Sequence, residues 1–553
     1  MSQSAAFVEE GRRRHRNGRS PDAEFAKALK LYEKGNHAAT RRTFERIVAA
    51  HPGHAKSLDC LGGIAFEEGD LPRALDYFRR AVAADPQSAS SLRNLGVTLN
   101  ELKMFEEAAE AFRLATRLDP RDAVAFNCLA GCLRALERWD EAVAAAVAAI
   151  RLDPNLPEAF ENLAVVVKAR GEYDKAFHLF QEALRLSPNS YAAWNNFGNL
   201  MMIYARTEDA VAAFRRALAL KPDMPEIHMN LGTALLQLGE YGEGFREYEY
   251  RWQAILKELR RPDGVPRWEG AAEPRTILLH AEQGLGDTLQ FCRYAPMVAA
   301  RGHRVILEVQ PELLSLIAFS LGSEAVEVVR LATDYPGMSG LPPVDAHCPL
   351  LSLPRIFGTT PQTIPAAPYL RADPAKVAEW RSRLQHLPAS DLRVGLVWAG
   401  NPRHAYKFDM RSPDARRSIK FAALQPLLEV PGVSFVSLQK GEGAAQLRAA
   451  GAGRVYDADP ELKTFADTAA LVEVLDLVIC VDTSVCHLVG GMGRPVWMLS
   501  RLDGCWRWLL RRTDSPWYPS MRIFRQRPDR SWERVIEDVR RALVEHVATA
   551  PRG

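Results

Sequence analysis

One period governs the first half of this chain and limits what that half can become. Gly62 recurs as Gly96, Ala130, Ala164, Gly198 and Gly232, and Ala74 recurs as Ala108, Ala142, Ala176 and Ala210. Phe78 recurs as Phe112, Phe180 and Phe214, with Ala146 standing between Phe112 and Phe180, and Pro86 recurs as Pro120, Pro154, Pro188 and Pro222. Four independent positions keep one register at a spacing of about 34 residues, which chance does not produce. Each unit reads as two amphipathic helices, with small residues where the helices cross closely and a proline ending the second. One such pair cannot bury its own face, so the units must stack. Seven units fit from about Pro21 to Trp252. In the first, Gly35, Phe44 and Pro52 all hold the register. The last puts Gly244 and Tyr248 where Ala and Phe stand elsewhere, and its aromatic end, Tyr248 to Trp252, is expected to seal the array.

These residues resemble the tetratricopeptide repeat. The resemblance implies a superhelix whose concave groove binds peptides or partner proteins. Asn94, Asn127, Asn162, Asn196 and Asn230, with Asp59 beginning the series, recur at one position of the first helix of each unit. That register commonly faces the groove in this repeat, where carboxamides can hold an extended peptide backbone. The alternative is a set of ordinary polar contacts between helices.

The bulk numbers exclude several classes. With 553 residues the chain is long enough for several cores, and 47% hydrophobic with 25% charged residues is ordinary for a globular protein. A formal net charge of +3 points to neither a dedicated nucleic-acid binder nor an acidic tail. The run Arg12, Arg13, Arg14, Arg16 and Arg19 reads as a solvated basic tail, and no apolar stretch follows it to make a secretory signal. No apolar run has the length of a membrane span. The eight cysteines are scattered through apolar segments without a C-x-x-C pair, which suits a reducing cytoplasm.

Beyond a Pro/Gly/Arg-rich linker at 260–266, short β-rich runs alternate with helical stretches, implying parallel sheets. Strands are expected at 276–281, 304–309, 326–331 and near 343–347, then at 393–398, 433–438, 454–456, 477–481, 495–499 and 521–525. A last helix is expected from Trp532 to about His546. The expected organisation is a basic tail over 1–20, a repeat array over 21–258, a linker over 259–275, and two doubly wound α/β lobes over 276–386 and 387–553.

Two stretches carry the chemistry. Thr276 to Tyr294 reads as a buried strand, a glycine turn at Gly284-Leu285-Gly286, and a helix opening at Asp287. Asp476 to Val496 reads as a buried strand ending in Asp482-Thr483-Ser484, then a helix with His487 in its first turn. The free N–H groups and dipole of such a helix start can hold a pyrophosphate. Asp287, Asp482 and Thr483 are equally competent as plain helix caps. A third element, Trp398 to His404 followed by Arg416-Arg417-Ser418-Ile419-Lys420, puts basic residues after the first strand of the second lobe. Trp506 to Trp508 and Trp517-Tyr518 cluster aromatics that line a pocket or pack a core. Asp457-Ala458-Asp459 follows a short late strand and reads as a loop, so no required metal is expected.

The second stretch resembles the D-T-G/S-x-x-H-L-A…G-x-P-V signature of bacterial lipopolysaccharide heptosyltransferases, and Gly284 to Asp287 resembles the G-L-G-D-like turn of their first lobe. The resemblance implies the GT-B arrangement, two Rossmann-like lobes with a donor cleft between them. It makes Asp287 the catalytic base, and it assigns Gly284, Gly286, Asn401, Arg417, Lys420, Gln439, Asp482, Thr483, Ser484 and His487 to the nucleotide-sugar donor, with Gln439 at the nucleobase. The phosphates would lie across the cleft from the Asp287 turn. Repeats joined to such lobes are also similar to O-linked N-acetylglucosamine transferases and to flagellin-glycosylating proteins. The implied activity is metal-independent glycosyl transfer in the cytoplasm, without a cofactor, to a hydroxyl of a protein held by the array. A repeat scaffold with a degenerate transferase, a glycan or lipid-linked saccharide transferase, and a sugar-nucleotide epimerase are the other readings.

Overall fold

The left-handed turns inside the helix pairs return with the same period as the small residues. Gly35, Gly69, Lys103, Glu137, Gly171, Ala205 and Gly239 all have positive φ, between 55° and 86°. Each sits where the first helix of a unit stops, the usual place for a left-handed residue. Three of the seven are not glycine and carry the steric cost of a Cβ in that conformation. Glu137→Gly is therefore expected to stabilise the chain by about 1 kcal/mol, and Gly171→Ala to destabilise it by a similar amount, both read from thermal unfolding.

The computed structural model describes residues 20–256, 264–331, 342–365, 367–400, 415–451 and 453–549. Among these, seven consecutive helix pairs run from Pro21–Glu33 with His37–Ala50 to Pro225–Leu238 with Tyr241–Tyr248. The chain divides into two compact units, Met1–Leu200 and Met201–Gly553.

In the first unit the periodic residues do what their sizes require. Ala74, Ala108, Ala142 and Ala176 are fully buried, and Phe78, Phe112 and Phe180 are buried beside them. A Cβ on Gly62 would lie 2.7 Å from the Phe78 ring, and one on Gly96 would lie 2.8 Å from the Phe112 ring, so the aromatic of the second helix lies against the backbone of the first. Side-chain caps start several helices, as where Asp70 accepts from Arg73 N–H at 3.1 Å and Asp122 accepts from Ala125 N–H at 2.9 Å.

The second unit contains two all-parallel sheets. The first has the order β3-β2-β1-β4, with β1 Thr276–His280, β2 Arg304–Val309, β3 Val326–Arg330 and β4 Ala346–Pro349. The second has the order β10-β9-β8-β5-β6-β7, with β5 Leu392–Val397, β6 Val433–Ser437, β7 Val455–Asp457, β8 Leu477–Val481, β9 Val496–Ser500 and β10 Met521–Arg525. Every expected strand is present. The one expected near 343–347 moves to Ala346–Pro349 because Pro342 and Pro343 bring no N–H to a ladder. The last helix, Trp532–Thr549, closes the second sheet's core through Val535, Ile536, Val539 and Leu543.

The expected boundary at 258/259 falls inside this second unit. The last helix pair shares one apolar core with the sheets, in which Tyr241, Phe245 and Tyr248 join Ile277, Leu279, Trp506 and Trp517. Gln237 donates to the Gly504 carbonyl at 2.7 Å, and Trp517 Nε1–H donates to the Tyr241 hydroxyl at 3.0 Å. The aromatic end therefore seals the array by becoming part of the next core. The tail over 1–19 and the linker residues 257–263 lie outside the described residues.

Candidate functional site

In a doubly wound sheet the crevice for a ligand opens where neighbouring crossovers diverge, beyond the carboxyl ends of the strands. The order of the second sheet puts that point between β5 and β8. There β8 ends at Val481, Asp482 and Thr483 follow, and the helix Ser484–Gly491 begins. Thr483 is its N-cap but makes no capping hydrogen bond, and its hydroxyl is buried without a partner among the described residues. From the other side Arg417 Nη1 donates to the Asp482 carbonyl at 2.9 Å. The Arg417 guanidinium lies against the turn after β5, where a Cβ on Gly400 would stand 2.7 Å from it.

In the first sheet the equivalent point lies between β1 and β4, and the end of the repeat array fills it. Arg251 is fully buried and forks onto Glu282, with Nε donating to Oε2 at 2.7 Å and Nη2 to Oε1 at 2.9 Å. The same arginine donates to Ser352 Oγ at 2.9 Å, and Leu351 N–H donates to Glu282 at 2.9 Å. Burial opposes the charge of Arg251, but Glu282 and Glu249 outweigh it and raise its pKa. Next to the plug, His280 Nε2 and His347 Nδ1 lie 3.1 Å apart, and burial followed by the neighbouring imidazole pushes His280 down to about 3. A pocket of about 310 Å³ opens beside Glu249, Tyr250, Trp252, Gln253 and Arg267. The motif residues do not line it, and its charged wall is already paired through Glu249 and Arg267.

The two motifs touch. A Cβ on Gly286 would lie 2.8 Å from His487 Cδ2 and 3.5 Å from Ser484 Cα, so the glycine lets the helix Leu285–Phe291 rest on the start of Ser484–Gly491. The expectation that a cleft separates the Asp287 turn from the phosphate-binding helix is corrected here, since the two lie in direct contact. Both oxygens of Asp287 are engaged. Oδ2 accepts from Gly284 N–H at 2.8 Å, and Oδ1 is paired with Arg507 Nη2. Arg507 also donates through Nε to Gln290 Oε1 at 2.5 Å and through Nη1 to Cys505 Sγ at 3.1 Å. Burial works against its charge, and Cys505 and Asp287 outweigh it. The turn after Arg507 is strained, since Leu509 has φ 50° and ψ −174°, and Arg525 holds the Trp508 and Leu509 carbonyls at 2.5 and 2.9 Å.

His487 sits at the centre. Its ring stacks on Trp508, with centroids 5.2 Å apart, and its Nδ1 lies 2.9 Å from the Tyr518 hydroxyl. Burial, then the charges of Arg507, Arg293 and Arg417, push its pKa well below the ordinary value. Buried polar atoms around this point lack hydrogen-bond partners among the described residues: Thr288 Oγ1, Gln290 Nε2 and Trp508 Nε1 besides Thr483 Oγ1. All four can donate, and unpaired buried donors call for an acceptor. Asp482, Cys486 and His487 lie close enough together to hold a cation, with ligand atoms within 4.8 Å. Their surroundings oppose one. Burial keeps the Cys486 thiol protonated, its Sγ donates to the Thr483 carbonyl at 2.9 Å, and the three arginines disfavour added positive charge. This is chemistry for an anion.

Residues 2–226 match the family model of the cilia and flagella-associated protein 70 C-terminal domain, and residues 205–257 match a tetratricopeptide-repeat model. The first half of the chain is thus an array of tetratricopeptide repeats. It is 31% identical over 337 residues to Protein FlbA of Caulobacter vibrioides, a match that covers 57% of this chain and 54% of FlbA. The chain thus spans about half the length of that curated relative. Among solved structures it is similar to a tetratricopeptide repeat protein from Parabacteroides merdae, with 18% identity, 44% of this chain and 98% of that one covered, and a TM-score of 0.38. A thermophilic repeat protein of Thermus thermophilus gives 23% identity, 33% and 99% coverage, and a TM-score of 0.30.

Within the tetratricopeptide repeats, the asparagine series is partly spent on itself. Asn94 Nδ2 donates to Asp59 at 3.2 Å, and Asn162 Nδ2 donates to Asn127 Oδ1 at 2.8 Å. Asn196 and Asn230 are half-buried at the same register.

Of the expected donor residues, Gly286, Arg417, Asp482, Thr483, Ser484 and His487 converge with Asp287. Three others stand apart from that group. Gly284 spends its N–H on Asp287. Lys420 is exposed at the start of a short 3-10 turn. Gln439 is a buried bracket, accepting from Trp398 and Ala399 N–H at 3.0 and 2.9 Å and donating to the Ala399 and Lys440 carbonyls at 3.1 Å, so its amide is not open to a nucleobase. Asn401 lies outside the described residues. Asp457 and Asp459 both pair with Arg448 in a surface network. Arg251, Glu282, Arg293 and Arg507 escaped the sequence reading. Arg507 stood in plain view between two tryptophans, but only the fold brings it to Asp287.

Proposed function

We propose that the second unit is a GT-B glycosyltransferase that moves a sugar from a nucleotide-sugar donor to a hydroxyl of a protein recruited by the repeats, with flagellin one such acceptor. The observation that carries this reading is the contact of the two motifs past the carboxyl end of β8, where Gly286 rests on Ser484 and His487, Arg417 holds the Asp482 carbonyl, Arg507 holds Asp287, and the Thr483 hydroxyl is buried with no partner among the described residues. Such a place suits a nucleotide diphosphate. Arg251 and Glu282 already occupy the equivalent point of the first sheet, so this reading puts the donor at the second.

In this reading the acceptor hydroxyl gives its proton to Asp287 as its oxygen bonds to the sugar's anomeric carbon. The bond from that carbon to the phosphate oxygen breaks, and its electron pair leaves with the nucleotide. Arg507 must first pass from Asp287 to the phosphates, which frees the carboxylate and neutralises the leaving group together. Arginines supply the positive charge, so the reaction needs no metal. A second reading, a scaffold with a degenerate transferase, draws on the closed Asp287–Arg507 pair. A thermal-unfolding screen of sugar nucleotides on the full chain separates them. A true donor at a hundred times its Kd stabilises the folded state by about 2.7 kcal/mol, whereas a degenerate site gives no stabilisation with any of them.

A further inference from the structure

Tyr248 stands 34 residues after Phe214, in the register where Phe78, Phe112 and Phe180 stand in earlier repeats. In those repeats an aromatic ring is all the helix crossing needs, and the Phe78 and Phe112 rings cover Gly62 and Gly96. In the last repeat Gly232 meets the backbone of Tyr248 instead, since a Cβ there would lie 2.5 Å from the Tyr248 nitrogen. The side chain reaches the α/β unit. Its ring lies 6.4 Å from that of Trp506, the Arg251 guanidinium stands 5.1 Å from its centroid, and its hydroxyl accepts from Gln283 Nε2 at 3.2 Å. Packing accounts for the ring, and the hydroxyl is what this repeat adds.

That hydroxyl acts on the approach to Asp287. Arg251 grips Glu282 through two hydrogen bonds, and Tyr248 holds the next residue, Gln283. The Gln283 carbonyl is fixed in turn by Gln310 Nε2 at 3.2 Å, just past β2. Gly284 follows, with its N–H on the Asp287 carboxylate at 2.8 Å. The array therefore holds two consecutive residues at the entry to the turn. It also braces the other half of the Asp287–Arg507 pair. Trp506, packed on Phe245 and Tyr248, lies with its ring centroid 4.5 Å from the Arg507 guanidinium.

We infer that Tyr248 is a positioning residue for glycosyl transfer, fixing through Gln283 the turn that carries Asp287. The last repeat then completes the transferase site as well as joining the array to it. The inference rests on the transferase reading above and gives the array a part beyond recruiting the acceptor. A base held about 1 Å out of place costs on the order of 10²-fold in rate. Loss of the hydroxyl therefore falls on kcat and spares donor affinity.

Two measurements on the full chain test this. Tyr248→Phe keeps the ring and restores the residue of the earlier repeats, so its thermal unfolding is expected to stay close to wild type. In hydrogen–deuterium exchange the amides from Gly284 to Asp287 are expected to exchange roughly tenfold faster in this variant, the worth of one neutral hydrogen bond. Gln283→Met removes the same contact from the other side and is expected to match it, and the double variant adds no further change. Turnover is read with UDP-glucose, UDP-N-acetylglucosamine and GDP-mannose as donors and purified flagellin as acceptor. In Tyr248→Phe kcat is expected to fall about 10- to 100-fold with the donor KM unchanged, and the double variant falls no further. Tyr250→Phe, whose ring stacks on His228 instead, keeps wild-type exchange and turnover. Unchanged exchange at the turn, additive effects of the two single variants, or a loss confined to KM or to thermal stability overturns the inference and leaves the donor site standing. Wild-type protein that transfers from none of the three donors overturns the transferase reading itself, and the part of Tyr248 in transfer with it.

Discussion

Arg251→Ala is expected to destabilise the second unit by about 3–5 kcal/mol, the range for leaving one partner of a buried ion pair alone. Both side chains of the Arg251–Glu282 pair are fully buried, and the remaining donors of the arginine reach Glu249, Ser352 and the Tyr248 carbonyl. Removal strands the buried Glu282 carboxylate, to which, among the described residues, the Leu351 N–H still donates. The double change Arg251→Met with Glu282→Leu is expected to recover most of the loss, because the desolvation of two charges disappears with their attraction. Urea unfolding of the three variants measures both effects. If the end of the array merely abutted the sheet at its surface, the single change would cost less than about 1 kcal/mol. The prediction thus tests whether the last repeat is part of the α/β unit's core.

Asp287→Asn is expected to lower kcat by about 10²–10⁴-fold, the usual contribution of a positioned general base. Donor affinity is expected to stay close to wild type, because the amide keeps the contact with Gly284 N–H through its oxygen. Steady-state turnover with purified acceptor protein, alongside calorimetric donor binding, separates the two quantities. Turnover that survives with normal donor binding removes Asp287 from the chemistry and leaves it as the helix cap and cross-lobe anchor that the ion pair with Arg507 already makes it.

The fold was largely legible because its signals are local. Gly62 and Phe78 announce a helix crossing, and runs such as Thr276–His280 and Leu477–Val481 are buried on both faces, so their apolar residues are continuous. The left-handed turns were half visible, since Gly35, Gly69, Gly171 and Gly239 advertise them and Lys103, Glu137 and Ala205 do not. The site was legible only where a motif is contiguous. Asp482 to His487 and Gly284 to Asp287 each fall in one stretch, and the structure brings them together. Arg507 meets Asp287 across 220 positions and Arg251 meets Glu282 across 31. Such pairings depend on how the sheets close, which no short-range pattern encodes. Gln439 was misread for the same reason, because a polar residue at a strand end looks the same whether it faces a ligand or brackets a neighbouring turn.

The central claim is that the nucleotide end of a donor lies at the meeting of β5 and β8, against Arg417 and the helix that starts at Ser484. Calorimetric titration of the most stabilising sugar nucleotide into wild-type protein and into Arg417→Met tests it most directly. The account predicts one site per chain in wild type and roughly tenfold or weaker binding in the variant, the loss expected for a charge-assisted hydrogen bond to phosphate. Equal affinity in the two proteins would contradict it.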